Sequence, residues 1–161
     1  MIIKSEQTLH HSGIRDVVKS AFGQADEADL VDQLRAAGDS VISLVALEAD
    51  EVVGHVLFSR MTAPIRALGL APVSVRPNRQ RAGIGSRLIR AGLERATVAG
   101  WQAVFVLGEP TYYRRFGFDP SLASGFRSRY AGPHLMALAL GADLAVTTGS
   151  IEYAPAFLSL R

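Results

Sequence analysis

A turn with two glycines separates a strand pattern from a long helix pattern near the middle of the chain. Residues 70–75 form an apolar run typical of a strand, and residues 86–96 repeat apolar side chains at helical spacing. The run between them is Gln80, Arg81, Ala82, Gly83, Ile84 and Gly85. The first N–H groups of a helix have no partner within the helix and lie at the positive end of its dipole, so they favour anions such as phosphate. Because Gly83 and Gly85 have no Cβ, a diphosphate can approach this backbone closely.

Two familiar phosphate-binding loops fit this turn poorly. The Walker pattern needs a lysine directly after its last glycine, and the residues that follow Gly85 are Ser86 and Arg87. The dinucleotide fingerprint needs a third glycine where Leu88 stands, and an acidic residue about twenty positions further on. Glu94 comes too early for that role. The turn therefore indicates a phosphate-bearing ligand of another kind.

A third pattern fits, and it has a second motif to support it. The order Gln-x-x-Gly-x-Gly at residues 80–85 resembles the acetyl-CoA signature of the GNAT superfamily of N-acetyltransferases. Residues 112–118 read Tyr-Tyr-Arg-Arg-Phe-Gly-Phe and resemble the family's Tyr-x-x-x-Gly-Phe motif. One helix pattern, one turn and one strand pattern separate the two motifs, as in the family. The run at residues 106–113 further resembles a bacterial branch of small N-acetyltransferases.

The resemblance implies a fold and a reaction. The expected fold is α+β, with a mixed, mostly antiparallel sheet that is splayed between its fourth and fifth strands and flanked by helices. The whole chain, residues 1–161, is expected to form a single domain. The expected enzyme transfers an acetyl group from acetyl-CoA to a primary amine by direct attack in a ternary complex. Strands are predicted at residues 2–3, 41–47, 52–58, 68–75, 101–107, 135–140 and 149–153, and residues 121–130 are predicted to be a loop.

The resemblance also implies how the cofactor binds. Pro72 cannot donate a ladder hydrogen bond, so it marks an edge, a bulge or a splay in the fourth strand. In the GNAT fold the pantetheine arm enters the gap at this place and pairs with the strand backbone. The diphosphate would lie on the glycine turn. The implied cofactor-binding residues are Val73, Ser74, Val75, Arg79, Gln80, Arg81, Ala82, Gly83, Ile84, Gly85 and Ser86.

Tyr113 and Glu109 are the candidate catalytic residues. Tyr113 stands four residues before Gly117, where the family places the tyrosine that protonates the leaving thiolate, whereas Tyr112 is out of that register. The alternative is that both tyrosines pack on the edge of the core. Glu109 is the best single candidate for the base, and a chain of water molecules is equally compatible; Glu109 could instead cap the short helix that follows. His55 is predicted to be a sheet-surface residue rather than a catalyst.

Composition narrows the remaining possibilities. The chain has no cysteine, which excludes disulfides, thiolate metal sites and a cysteine nucleophile, and suits a reducing cytoplasm. No apolar run approaches the roughly 18 residues of a membrane span, and the four histidines show no metal-ligand spacing. The net charge is only +2, and the excess lies around the glycine turn at Arg76, Arg79, Arg81, Arg87, Arg90 and Arg95.

Three functions stay open at this point. Acetyl transfer to a small-molecule or peptide amine is the leading hypothesis, with no metal, membrane or nucleic acid involved and a monomer or homodimer as the expected state. A CoA-binding regulatory domain of the same fold is the first alternative, and a basic nucleic-acid-binding module is the second. The acceptor is expected to lie between residues 21–38 and 118–133. The acidic residues of the first segment weakly favour a cationic amine.

Overall fold

The fold is built on a six-stranded sheet with the strand order β1-β2-β3-β4-β5-β7. A computed structural model describes residues 1–160. The strands are β1 Ile2–Ser5, β2 Ser40–Glu48, β3 Glu51–Arg60, β4 Ala67–Val75, β5 Ala103–Leu107, β6 Phe126–Arg127, β7 Leu135–Ala139 and β8 Gly149–Ser150. Only β4 and β5 pair in parallel within this sheet, so it is mixed and mostly antiparallel. β6 and β8 pair in parallel as a separate two-stranded sheet.

Helices cover both faces of the large sheet. The α-helices are α1 His11–Phe22, α2 Asp26–Ala36, α3 Ile84–Val98, α4 Pro110–Tyr113 and α5 Pro120–Ala123. Turns of 3₁₀-helix lie at Thr8–His10, Pro77–Arg79, Arg114–Phe116 and Pro155–Ser159. α1 and α2 pack their apolar residues against one face, together with Phe157. No helix within residues 1–160 combines the length and the apolar character needed to cross a membrane.

α3 lies on the opposite face and approaches β3 closely. A Cβ on Gly92 would lie 2.5 Å from Cζ of Phe58, so only glycine lets the helix settle onto that ring. A Cβ on Gly54 would likewise lie 3.0 Å from the side chains of Ile84 and Leu88. These contacts hold the N-terminus of α3 against the C-terminal end of β4, because Gly54 of β3 pairs with Val75.

β4 and β5 separate partway along their length. Their parallel pairing covers Ala67 to Gly69 on β4, and Gly69 is paired with Phe105. Beyond that point β4 continues to Val75 and pairs only with β3, whereas β5 continues to Leu107 and pairs only with β7. The expected splay between the fourth and fifth strands is therefore confirmed, and the inner edge of β4 is open there.

Two local predictions need correction and one is refined. Residues 121–130, predicted as a loop, contain part of α5 and all of β6. The strand predicted at residues 149–153 is limited to Gly149–Ser150, which pairs outside the main sheet. Pro72 does mark an irregularity, because the register of β3 against β4 shifts between Val56 and Phe58. However, β4 lies between β3 and β5 and is not an edge strand.

Candidate functional site

The turn between β4 and α3 is held in place by its own residues. The side chain of Gln80 donates a hydrogen bond from Nε2 to the carbonyl oxygen of Val75, at 3.1 Å. Arg81 and Gly83 both have a left-handed backbone, with φ of 66° and 82°. Gly83 is the N-cap of α3. The chain therefore folds back on the end of β4 before it enters the helix.

This turn leaves three backbone donors without an acceptor. The first hydrogen bond of α3 runs from the N–H of Arg87 to the carbonyl oxygen of Gly83, at 3.1 Å. Within residues 1–160, the N–H groups of Ile84, Gly85 and Ser86 have no acceptor. They border a cavity of about 370 Å³. A helix N-terminus with free donors and a positive dipole end is suited to bind phosphate oxygens.

Three arginines border the same cavity, but only two are available to an anion. Arg79 is paired with Glu48, its Nε donating to Oε1 at 2.7 Å, and this guanidinium lowers the pKa of the Glu48 carboxyl. Arg81 is exposed and forms no ion pair with any residue that the structure describes. Arg115 donates a hydrogen bond to Oγ of Ser86 at 2.8 Å. Its guanidinium stacks 4.5 Å from the ring centroid of Tyr112.

A second cavity, of about 300 Å³, continues from the first one into the gap beside β4. Its lining is Ala21, Phe22, Val73, Val75, Gln80, Gly85, Tyr112 and Tyr113. Val73 and Val75 face this space, whereas the side chain of Ser74 between them is buried on the other face of the strand. Since β5 has already diverged, the backbone of β4 on this side can pair with an extended ligand.

Two tyrosines of α4 form one wall of the gap. Their rings pack edge to face, with centroids 5.0 Å apart, and Tyr113 also packs against Phe118. Burial, together with the neighbouring Tyr112 phenol, raises the pKa of Tyr113 to about 12. Tyr113 therefore stays protonated at neutral pH and can act as a proton donor. The hydroxyl of Tyr112 lies 3.5 Å from the position that a Cβ on Gly85 would take, so it reaches the start of α3.

The structure does not bring Glu109 and Ala82 to either cavity. Ala82 is exposed within the turn and contributes no cavity wall. Glu109 occupies the N-cap position of α4, and its backbone carbonyl accepts hydrogen bonds from the N–H groups of Tyr112 and Tyr113, both at 3.1 Å. The capping position expected as the alternative for Glu109 is therefore confirmed, but its side chain is exposed and makes no capping hydrogen bond.

Comparison with known proteins identifies the family. The family model described as "Acetyltransferase (GNAT) domain" matches residues 3–121. The chain belongs to the GNAT acetyltransferase family. It is 40% identical over 146 residues to the N-acetyltransferase YjhQ of Escherichia coli K12, covering 78% of this chain and 80% of YjhQ. It is 32% identical over 136 residues to the N-acetyltransferase YhbS of the same strain, covering 82% and 81% of the two chains.

Solved structures of GNAT proteins superpose closely on this chain. The crystal structure of E. coli YhbS in complex with CoA has a TM-score of 0.92 at 30% identity, covering 98% of this chain and 91% of YhbS. A GNAT acetyltransferase from Brucella melitensis in complex with acetyl-CoA has a TM-score of 0.82 at 37% identity, covering 97% of each chain. The predictions of family, fold class and enzyme class are thus confirmed.

His55 occupies a place in this GNAT protein that the sequence did not predict. It lies on a face of the sheet, but that face is covered, and the side chain is 0% exposed. Nε2 of His55 lies 2.8 Å from Oγ of Ser43, which in turn donates to the carboxylate of Glu6. Burial lowers the pKa of His55 to about 4, so the ring is neutral. A buried, neutral ring of this kind cannot reach a substrate.

Sequence reasoning missed two residues of the site. Tyr112 is out of the family register, which favours a place on the edge of the core, yet it borders both cavities. Arg115 is absent from the expected ligands, although it reaches Ser86 at the start of α3. Their spacing of three residues, which places two side chains on one side of a helical turn, is the available signal. Within residues 1–160, no group of three or more histidine, aspartate or glutamate side chains is placed to hold a metal ion.

Proposed function

We propose that the chain is an acetyl-CoA-dependent N-acetyltransferase that transfers an acetyl group to a primary amine by direct attack in a ternary complex. The observation that carries this proposal is the junction of two features in one continuous groove. The open edge of β4 leads directly to the free N–H groups at the start of α3. The CoA complex of YhbS and the acetyl-CoA complex of the B. melitensis protein support it.

In this proposal the two ends of the cofactor are held differently. The N–H groups of Ile84, Gly85 and Ser86 bind the diphosphate, and Arg81 and Arg115 add positive charge beside it. Arg79 lies at the rim of this cavity, where its guanidinium is paired with Glu48. The pantetheine arm lies along residues 73–75 as an added strand, so its amide groups pair with the open edge of β4.

The steps of the reaction follow from the protein groups that would lie beside the thioester. The amine nitrogen attacks the carbonyl carbon, a C–N bond forms, the C–S bond breaks, and the sulfur leaves as a thiolate. Backbone N–H groups of β4 stabilise the oxyanion that forms on the way. Tyr113 supplies the proton to the departing sulfur. Burial raises the pKa of this phenol, and burial in the same cavity would also make a thiolate more basic, so the two shifts act in the same direction.

The amine must lose a proton before it attacks. Glu109 and a chain of water molecules are the two candidate acceptors of that proton. The exposed carboxylate of Glu109 borders neither cavity, which favours the water route. No other carboxylate among the described residues lines the cavity at the gap. The proton therefore leaves through solvent at the mouth of the groove.

Substitution of Tyr113 by phenylalanine tests this mechanism. Removal of the proton donor should lower kcat by about 100-fold or more, since general acid catalysis contributes about 10²–10⁴. CoA affinity should stay within about threefold, because Tyr113 does not line the cavity at the helix N-terminus. The matched control is Tyr112→Phe, which removes the neighbouring hydroxyl. Thiol release from acetyl-CoA across a panel of amines reports kcat, and thermal shift with CoA reports binding.

The outcomes separate the competing functions. A Tyr113→Phe enzyme that keeps the full rate with a good acceptor would show that the assigned acid is wrong. A wild-type protein that is stabilised by CoA but releases no thiol with any amine would favour a regulatory CoA-binding domain. Steeply salt-dependent binding to DNA or RNA, without CoA binding, would favour the nucleic-acid module.

A further inference from the structure

A third cavity opens on the other face of the sheet. It has a volume of about 470 Å³ and lies between the chain after β6 and the segment that leads from β8 into the last 3₁₀ turn. Its polar and aromatic lining includes Arg127, Arg129, Tyr130, Glu152 and Tyr153. Both bordering segments are brought together by the pairing of β6 with β8. None of these residues belongs to the cofactor groove described above.

This cavity reaches the point where β4 and β5 diverge. Gly69 is the last residue of β4 that pairs with β5. On its other side Gly69 pairs with Ser59 of β3. The preceding residue, Phe58, faces α3, and side chains alternate along a strand. Ser59 and its partner Gly69 therefore face away from α3. The ring of Tyr153 fills that place: a Cβ on Gly69 would lie 2.5 Å from its Cδ1 atom. Tyr153 thus forms the floor of the cavity at the base of the fork.

The floor of the cavity carries a buried phenol. The hydroxyl of Tyr153 is buried and has no hydrogen-bond partner within residues 1–160. Its ring packs against Tyr130, with centroids 5.6 Å apart. Burial raises the pKa of Tyr153, and the phenols of Tyr130 and Tyr113 add to that effect. An unpaired donor at the base of the fork is a group that a bound molecule can satisfy.

The lining of this cavity carries more positive than negative charge. Arg127 and Arg129 are exposed, and neither pairs with a carboxylate among the residues that the structure describes. Nε of Arg127 donates a hydrogen bond to Oγ of Ser150, at 3.2 Å. Glu152 is the single carboxylate in the described lining. By contrast, two of the acidic residues of α2 expected to attract a cationic amine are engaged, because Asp29 and Asp32 pair with Arg15.

We propose that this cavity binds the amine acceptor, and that Arg127 and Arg129 hold a carboxylate or phosphate carried by the same molecule. The acceptor class is then an amine that also bears an oxyanion, with the nitrogen directed through the fork and the anion at the outer rim. Guanidinium groups bind both oxyanions with paired hydrogen bonds. This assignment rests on the proposed acetyltransferase function, and it replaces the weak preference for a cationic amine expected from the sequence.

Matched pairs of amines test the assignment. L-Lysine and cadaverine present the same primary amine with and without a carboxylate, and O-phosphoethanolamine and ethanolamine do so with and without a phosphate. Thiol release from acetyl-CoA gives kcat and KM for each, and calorimetric titration of the CoA complex gives binding independently of turnover. We expect the anionic member of at least one pair to be favoured by about 10-fold to 100-fold, the range of a charge-assisted hydrogen bond. The pair that shows this preference identifies the bound oxyanion as a carboxylate or a phosphate.

Arginine variants locate the effect. Arg127→Ala and Arg129→Ala should each remove most of the preference by raising KM for the anionic amine, with little change in kcat or in CoA binding. Arg129→Lys should restore part of it. The control is Arg95→Ala, which removes one exposed arginine that hydrogen-bonds Ser5 near the far end of α3. Because Arg127 and Arg129 are exposed, these variants should fold, and unfolding curves verify this.

Each outcome decides between the two proposals. If CoA binds and amines are acetylated without regard to the anion, the assignment of the cavity is overturned and the acetyltransferase function stands. The assignment is overturned in the same way if no anionic amine binds or reacts, or if the arginine variants leave the preference unchanged. If neither CoA binding nor thiol release is seen with any amine, the proposed function itself fails.

Discussion

Substitution of Gly85 by alanine separates the structural from the functional need for glycine at the start of α3. Gly85 is the second residue of the helix and has an ordinary helical backbone. An added Cβ would lie 3.5 Å from the hydroxyl of Tyr112, 3.7 Å from Cγ2 of Val75 and 3.8 Å from Cγ1 of Val73. These are normal van der Waals distances, so the methyl group fits. Alanine should therefore stabilise the protein by up to about 1 kcal/mol through its helix propensity.

The same methyl group should weaken binding of the cofactor. It would stand in the groove between α3 and β4, where the diphosphate must approach the free N–H groups. Loss of a charge-assisted hydrogen bond costs about 1.5–3 kcal/mol, which corresponds to an increase in Kd of about 10-fold to 100-fold. The substitution should thus raise the stability of the free protein and lower its affinity for CoA. A merely structural glycine would not produce opposite effects of this kind.

Thermal shift with CoA measures both quantities in one experiment. At 100 times Kd, a ligand stabilises the folded state by about 2.7 kcal/mol, or about 5–10 °C in Tm for a domain of this size. At the same dose, a 100-fold weaker variant should gain only about 0.4 kcal/mol, or about 1–2 °C. Thr97→Ala is the control, since it raises helix propensity near the C-terminal end of α3. A folded Gly85→Ala protein with unchanged CoA affinity would refute a diphosphate site at this turn.

Three further substitutions follow from the same contacts. The pKa of His55 falls from 6.5 to about 4 on folding, so the unfolded chain binds more protons between these pH values. Stability should therefore fall by about 2–3 kcal/mol from pH 7.5 to 4.5, and His55→Gln should remove this dependence in urea unfolding curves. Gly92→Ala should lower stability by about 1–3 kcal/mol through its clash with Phe58, and Phe58→Leu should relieve that clash in the same denaturation assay. Glu109→Gln should change kcat by less than about threefold if water removes the amine proton; a loss of about 100-fold would assign the base to Glu109.

The groove proposed for the cofactor could be predicted because its determinants are local in sequence. The strand, the turn with Gly83 and Gly85, and the helix follow one another without interruption. Backbone N–H groups at a helix start are free wherever such a sequence folds in this way. The splay of β4 from β5 follows from the family resemblance, and Pro72 marks an irregularity in the correct strand. Adjacent residues are thus sufficient to identify the groove and most of its lining.

Long-range pairing explains what the sequence did not predict. Arg79 is expected from the sequence to contact phosphate, but its partner Glu48 lies 31 positions earlier in the chain. The alternation of side chains along β3 assigns His55 to the correct face of the sheet. Whether that face is open to solvent depends on how α1 and α2 pack against it. A strand pattern identifies which residues share a face and does not identify what covers that face. Both features therefore arise from contacts between distant segments.

The donor and acceptor sides also differ in which atoms do the binding. The proposed diphosphate and pantetheine contacts are made by backbone groups of α3 and β4. At the start of α3, the lack of a Cβ on Gly83 and Gly85 keeps these groups accessible. The proposed acceptor contacts are made by side chains on residues 127–130 and 150–158, outside the 3–121 range that defines the family match. Arg127 and Arg129 can therefore change without disturbing the cofactor groove. Chains of this family that keep the glycine turn but lack these arginines should bind CoA in the same way and select a different amine.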